Sequence, residues 1–402
     1  MMKKALLAMA VAAATTAFAG LAQAEVKIGF LGGFTGPIES LTPPIYDGAQ
    51  LAVAQVNEQG GILDGQTLAM PSGDTTCADA SAASNAADRM VNTENVTAIV
   101  GALCTGATVA AANNAAIPGG VVMVSPASTA PAVTDLNDND LVFRTVPSDA
   151  FQGEMLAKLV LAKGFDEAAV TYVNNDYGRG LADAFTATFE AEGGTVAANE
   201  AHEDGRADYR SELGSLSSTG VETLVVLAYA DGSGQTLLRQ AYESGMFTQY
   251  VGADGMVGDS LVDAVGADVL EGMIATRPGS PEMPGTDRFA EMAEEAGIDP
   301  SAVFAAQAYD AAFLLALAIE KNGSADREGL AEALRDVASA PGEVILPGEW
   351  EKAKQLIADG EEINYEGASG TQDFDENGDV PGVVVEMVVE DGRFVSKGFV
   401  DL

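Results

Sequence analysis

Val26-Lys27-Ile28-Gly29-Phe30-Leu31 is a short apolar run closed by Gly32-Gly33, and residues 46–59 follow it with apolar side chains at helical spacing (Ala49, Leu51, Ala52, Val53, Val56). The first reads as a strand and the second as a helix that stops at Gly60-Gly61. The same order recurs outward along the chain. A strand near 97–100 precedes a helix from about Thr105, and a strand at 121–124 comes next. Helix 150–163, strand 168–173 and helix 178–192 continue the pattern. They are followed by strands at Val196 and 223–227, helix 234–244 and strand 250–252. Alternation of this kind specifies parallel sheets with helices on both faces, so the predicted fold class is α/β.

The last quarter is more helical. Residues 302–321 are almost wholly apolar, but Gln307 and Asp310 interrupt the run, which marks a buried domain helix. Further helices are predicted at 328–337 and 349–359, the latter holding the single tryptophan, Trp350, in a structural role. Strand-like runs at 383–389 and 393–400 flank a turn at Glu390-Asp391-Gly392. No repeat of fixed period and no low-complexity linker divides the chain. That favours domains joined by several short crossings over one flexible tether.

Composition excludes several functions. The 402 residues carry 60 acidic and 20 basic side chains, a formal charge of −40, which leaves no Lys/Arg surplus for binding nucleic acid. One histidine cannot build a His-rich metal centre, and two cysteines cannot build a four-thiolate zinc site. At 47% hydrophobic residues the chain has ample material for a core, and its length suits two domains. Lys3-Lys4, an apolar run at 5–18 and Ala22-Gln23-Ala24 read as a secretory signal peptide over residues 1–24, cut before Glu25. The apolar run is shorter than the ~20 residues that span a bilayer. Cleavage removes two lysines and takes the charge to −42. After export Cys77 and Cys104 are expected to form a disulfide, with a reduced pair as the alternative.

No enzymatic constellation stands out. G-x-S-x-G, the P-loop pattern and H-E-x-x-H are absent, and Gly32-Gly33-Phe34-Thr35-Gly36 does not fit G-x-G-x-x-G. His202 lies in a polar stretch, Glu200 to Asp204, and is expected to be a solvated loop histidine. The run from Asp373 to Asp379 opens like a calcium loop, but its twelfth position is Val384 where a bidentate Glu is needed. A turn at Asn377-Gly378 is favoured, with calcium as the alternative. No metal and no cofactor are predicted.

Three loops at strand ends carry more chemistry. Cys104-Thr105-Gly106-Ala107-Thr108 and Ser125-Pro126-Ala127-Ser128-Thr129-Ala130 each follow a strand and offer N–H and hydroxyl donors. Side by side they suit a carboxylate, though each alone also reads as helix capping. Gly252-Ala253-Asp254-Gly255 places an acid at a strand's carboxyl end, where it could meet a ligand ammonium or cap the next helix. Tyr177 and Tyr229 end two further strands, and open α/β sheets bind ligands beyond such ends.

In order and spacing these segments resemble the leucine/isoleucine/valine-binding proteins, the type 1 periplasmic solute-binding components of ABC importers. The resemblance runs from Val26 to about Val389. Its carriers are Ile28-Gly29 with Gly36-Pro37, Asn57 with Gly60-Gly61-Ile62, both cysteine contexts, Ser125 to Pro131, Tyr177-Gly178-x-Gly180-Leu181-Ala182 and Leu238-Arg239-Gln240-Ala241. The resemblance implies two Rossmann-like lobes with parallel-sheet cores and three hinge crossings, near 144–147, 275–278 and 381–385. The N-terminal lobe would be 25–145 plus 277–381, and the C-terminal lobe 146–276 plus 382–402. It also implies carboxylate binding at Thr105, Ala127, Ser128 and Thr129, and ammonium binding at Asp254 with Tyr177. The pocket for the ligand side chain would be formed by Leu41, Tyr229 and Gly255.

Two departures bear on the ligand. Leu41 stands where leucine-binding members have an aromatic residue, with Pro43-Pro44 expected to stiffen that loop, and Asp254 replaces the usual Glu. The implied protein is a periplasmic monomer that captures a small amino acid, branched-chain or related aliphatic, between closing lobes and hands it to an inner-membrane permease and its ATPase. The alternatives are an aromatic or aliphatic carboxylate or amide as ligand, or a sensor that docks on a chemoreceptor or kinase.

Overall fold

A computed structural model describes residues 25–401. The signal peptide predicted at 1–24 lies outside the described residues. The first sheet contains β1 (Glu25–Gly32), β2 (Thr67–Ala69), β3 (Ser72–Asp74), β4 (Ala98–Gly101), β5 (Val122–Ser125) and β6 (Val142–Arg144). Its order is β2-β1-β4-β5-β6, with β3 also paired to β1, and every pairing is parallel. The second sheet contains β7 (Glu167–Val173), β8 (Thr195–His202), β9 (Thr223–Leu227), β10 (Gln249–Gly252) and β11 (Ile274–Gly279). A short parallel pair, β12 (Glu343–Ile345) and β13 (Ile363–Tyr365), stands apart. The hairpin β14 (Val383–Glu390) and β15 (Arg393–Phe399) completes the second sheet, in the order β15-β14-β11-β10-β9-β7-β8. Only the hairpin pairs are antiparallel there.

Central strands such as β4, β5 and β9 are buried along their whole length. Helices cover both faces of such strands, which explains their continuous apolar reading. The edge strand β8 instead alternates exposed and half-buried residues until His202. The chain leaves the first sheet after β6, returns after β11 and crosses again before β14. Because β11 continues to Gly279, the passage expected at 275–278 falls inside a strand of the second sheet.

Four helices position the cleft: α1 (Thr42–Glu58), α2 (Thr105–Ala111), α3 (Asp149–Ala162) and α4 (Asp176–Ala191). Pro43 and Pro44 occupy the first turn of α1 and start a helix rather than stiffening a loop. Proline is favoured there because its missing N–H would have no intrahelical partner. The helix α5 (Ala305–Asn322) is buried from Ala305 through Ile319. Its Asp310 accepts hydrogen bonds from Tyr365 Oη, the Ala368 and Ser369 backbone N–H groups, Ser369 Oγ and Gln372 Nε2. Asp310, one of the two polar interruptions in this helix, therefore pins the 365–372 segment. Trp350 begins α6 (Trp350–Asp359), packs edge-on to Phe313 and donates Nε1–H to the Gly61 carbonyl at 3.1 Å.

His202 corrects the sequence reading. It is the last residue of β8, 2% exposed, with Nδ1 2.8 Å from Thr171 Oγ1 and Nε2 2.8 Å from Ser233 Oγ. Its polar neighbours in sequence hid an inward-facing strand position. Burial pushes its pKa down to about 4, with Glu203 opposing that shift. The unfolded value is near 6.5, so the unfolded chain takes up the proton first. The stabilising contribution is complete above pH 6.5 and is lost as pH falls through 4, at a cost of up to about 3 kcal/mol. Urea titrations at pH 7 and pH 4.5 should show this loss in the wild type, and His202→Gln should remove that component.

Candidate functional site

The ends of β4 and β5 set two loops side by side. Cys104 is extended and precedes the first turn of α2, so Thr105, Gly106 and Ala107 begin a helix whose first N–H groups lack intrahelical acceptors. Cys104 is joined to Cys77 by a disulfide with the Cα atoms 5.6 Å apart, which holds that turn against the segment after β3. Arg144, wholly buried, fixes the loop after β5. Its guanidinium donates to the carbonyls of Ser128, Thr129 and Ala130 and to Thr134 Oγ1, and forks onto Asp379 with both contacts at 2.6 Å.

The facing side comes from the second sheet. Tyr177 opens α4, which is capped by Asn175 through Gly178 N–H at 2.9 Å. Tyr177 Oη donates to Asp254 Oδ1 at 3.0 Å and accepts from Gly255 N–H at 3.1 Å. Gln152 Nε2 donates to the same Asp254 oxygen at 2.8 Å. Gly255 admits this arrangement because a Cβ there would lie 2.9 Å from Tyr177 Oη and 2.7 Å from the Ala228 carbonyl. Tyr229 stacks on Tyr177 with ring centroids 5.0 Å apart.

Between these sides is a cavity lined on its polar flank by Cys104, Thr105, Ala127, Tyr177, Tyr229 and Asp254, with Gly255 beside them. Its apolar wall is Ile38, Leu41, Ile45, Leu103 and Phe304. The two halves also touch next to Leu41: Ser40 N–H donates to Asp231 Oδ2 at 2.7 Å, and the Ser40 and Ser260 hydroxyls meet at 2.8 Å. Thr105, Ala127, Tyr177, Tyr229, Asp254, Gly255 and Leu41 thus converge from separate segments.

Ser128 and Thr129 do not reach the lining. Ser128 Oγ lies 2.6 Å from Thr108 Oγ1 and 3.2 Å from the Ala102 carbonyl, which ties its loop to the segment after β4. Thr129 Oγ1 donates to Asp149 Oδ2 at 2.9 Å. Sequence reasoning missed Asp149, Gln152 and Phe304. Asp149 follows the helix cap Ser148, and an acid in a first turn has a routine explanation. Phe304, at φ 63°, is held in the left-handed region just before α5.

Two buried acids dominate the electrostatics. Burial pushes Asp254 up to about 6, against the hydrogen bonds from Gln152 and Tyr177. Burial also raises Asp149 well above the ordinary carboxylate range, and the nearby Asp254 adds to this, while Thr129 and Arg144 oppose it. Elsewhere, the calcium-like segment is a turn. Asp375 Oδ1 accepts N–H groups of Asn377 and Asp379, and Asp379 is committed to Arg144 and Thr134. Among the described residues no cluster of three or more His, Cys, Asp or Glu could hold a metal ion.

A family model described as "Receptor family ligand binding region" matches residues 45–389. A leucine-, isoleucine-, valine-, threonine- and alanine-binding protein of Pseudomonas aeruginosa is 34% identical over 328 residues, 81% of this chain and 86% of that protein. The Leu/Ile/Val-binding protein of Escherichia coli is 30% identical over 356 residues, 88% and 93% of the two chains. Among solved structures, a leucine binding protein from Thermotoga maritima matches with a TM-score of 0.79 at 29% identity, covering 93% of this chain and 98% of its own.

Proposed function

The chain belongs to the leucine/isoleucine/valine-binding family of type 1 periplasmic solute-binding proteins, and on that premise we propose that it captures a small branched-chain or related aliphatic amino acid. The observation that carries this reading is the cavity itself. The start of α2 at Thr105 offers donors to a carboxylate with Ala127 beside it, Asp254 and Tyr177 oppose them with an acceptor for an ammonium, and an aliphatic wall with one phenyl ring lies alongside. A zwitterion with an apolar side chain matches all three surfaces.

The lobes that close on it are 25–145 with the segment up to 381, and 146–279 with 382–402. The second boundary is drawn after Gly279 because β11 continues that far. The bound amino acid is delivered, in the periplasm, to a membrane permease driven by its ATPase, with no chemical change to the ligand. A thermal-shift screen over amino acids and small carboxylates tests this. A ligand at 100 times its dissociation constant stabilises by about 2.7 kcal/mol. Response to amine-free carboxylates alone would replace the amino-acid reading.

Phe304 sets the size limit. It supplies an aromatic surface on the wall where Leu41 lacks one, from a different element. Phe304→Ala should open the wall and shift the ratio of leucine to phenylalanine affinity at least tenfold toward phenylalanine, read by calorimetric titration. Apolar pockets discriminate by about 1–3 kcal/mol per methylene, so removing a ring exceeds that threshold.

A further inference from the structure

Asp149 has no place in the binding geometry described so far, yet it is wholly buried beside the site. One carboxylate oxygen accepts from Thr129 Oγ1, and the other, Oδ1, is buried with no hydrogen-bond partner. One turn along α3, Gln152 holds Asp254 through its amide nitrogen, while its own Oε1 is also without a partner. The groups around this pair come from every adjoining element. They are Thr129 after β5, Arg144 on β6, Tyr177 on α4, Tyr229 after β9, Asp254 after β10 and Thr276 on β11, whose hydroxyl is likewise buried and unpartnered. Arg144 is the one cation among them, and its donors are taken by Asp379 and by carbonyls.

Two ionised carboxylates buried at the same turn of α3, Asp149 on it and Asp254 bonded to its Gln152 side chain, repel one another, and a single hydroxyl donor is too little to hold Asp149 as an anion. We propose that Asp149 and Asp254 share a proton in the empty protein at neutral pH, and that capture of an ammonium-bearing ligand expels it. The proton leaves a carboxylic O–H for solvent, and the ligand's –NH3+ replaces its charge at the site. Asp149 is thus a positioning residue that couples affinity to pH and leaves the ammonium contact to Asp254. This rests on the amino-acid reading above.

Linkage fixes the sign: a ligand that releases a proton binds more tightly as pH rises, by up to roughly tenfold per pH unit at full release. Leucine titrated calorimetrically into the wild type, in buffers of different ionisation enthalpy between pH 5.5 and 7.5, should release between about half and one proton. In Asp149→Asn the release should shrink toward zero at pH 7.5, and the pH slope of affinity should flatten. A second readout needs no ligand. An acid whose folded pKa is raised destabilises the fold as pH climbs above its unfolded value, so Asp149→Asn should melt higher than wild type at pH 7.5 and equally at pH 4. Asp149→Ser carries the same comparison if the Asn variant does not fold. An unchanged proton release in the variant, or no gain in melting temperature at pH 7.5, overturns the proposal. If no amino acid binds, the ligand reading falls, and the melting comparison still decides whether the acids share a proton.

Discussion

Asp254→Ala should weaken amino-acid binding by at least a hundredfold while leaving the empty protein as stable as before, or more so. The reason lies in burial. Asp254 is 3% exposed and opens onto the cavity beside Tyr177, so an ammonium placed there leaves water behind and depends on that carboxylate for counter-charge. Removing one partner of a buried charge pair costs about 2–5 kcal/mol, and a hundredfold loss corresponds to the lower part of that range. The empty protein behaves oppositely because its buried acid has no counter-ion among the described residues and accepts only polar donors. Asp254→Asn keeps the shape and sharpens the test, since its amide replaces one acceptor oxygen with a donor. Isothermal titration with leucine, run beside thermal melts of the unliganded variants, separates lost affinity from lost folding. Full affinity in Asp254→Asn would sink the assignment of an amine-bearing ligand.

Arg144→Ala should destabilise the fold by roughly 3–5 kcal/mol, the cost of stranding the other half of a buried pair. Its guanidinium ties Asp379, before the last crossing, to three consecutive carbonyls of the loop that carries Ala127 and Thr129. Alanine would strip the Ser128, Thr129 and Ala130 carbonyls of the guanidinium and leave the Asp379 carboxylate with Thr134 Oγ1 in place of its counter-charge. Lysine should rescue little, because an ammonium cannot reproduce the planar fork. Urea unfolding of Arg144→Ala, Asp379→Ala and the double variant gives the coupling. The double variant should lose much less than the sum of the singles, since removing both partners strands no charge. Strict additivity would show that the two residues act separately.

How far the sequence alone reaches depends on the range over which each feature is determined. β9, Thr-Leu-Val-Val-Leu, is buried on both faces, and its unbroken apolar run announces a covered parallel strand. The loops after β4, β5, β9 and β10 were legible for the same local reason, and their residues do meet in one cavity. Elements of three residues, such as β2, β3 and β6, are too short to show a period. Asp149 and Gln152 were illegible for a different reason. Their roles arise only when α3 turns the face bearing both of them toward the end of β10, a relation spanning about a hundred residues. Phe304 and His202 fail in the same way, one through backbone geometry before a helix and the other through the inward turn of a strand's last residue.

The disulfide gives the protein a dependence on how it is made. Cys104 immediately precedes Thr105, and its partner Cys77 belongs to the neighbouring segment, so the bridge braces the helix start that lines the cavity. Material produced in a reducing cytosol, or stored with a thiol reagent, would lack that brace. Such a preparation could retain its sheets and its melting cooperativity while binding weakly and with blurred selectivity. Affinities measured on it would describe an untethered helix start, and a free-thiol assay should accompany every binding constant reported for this protein.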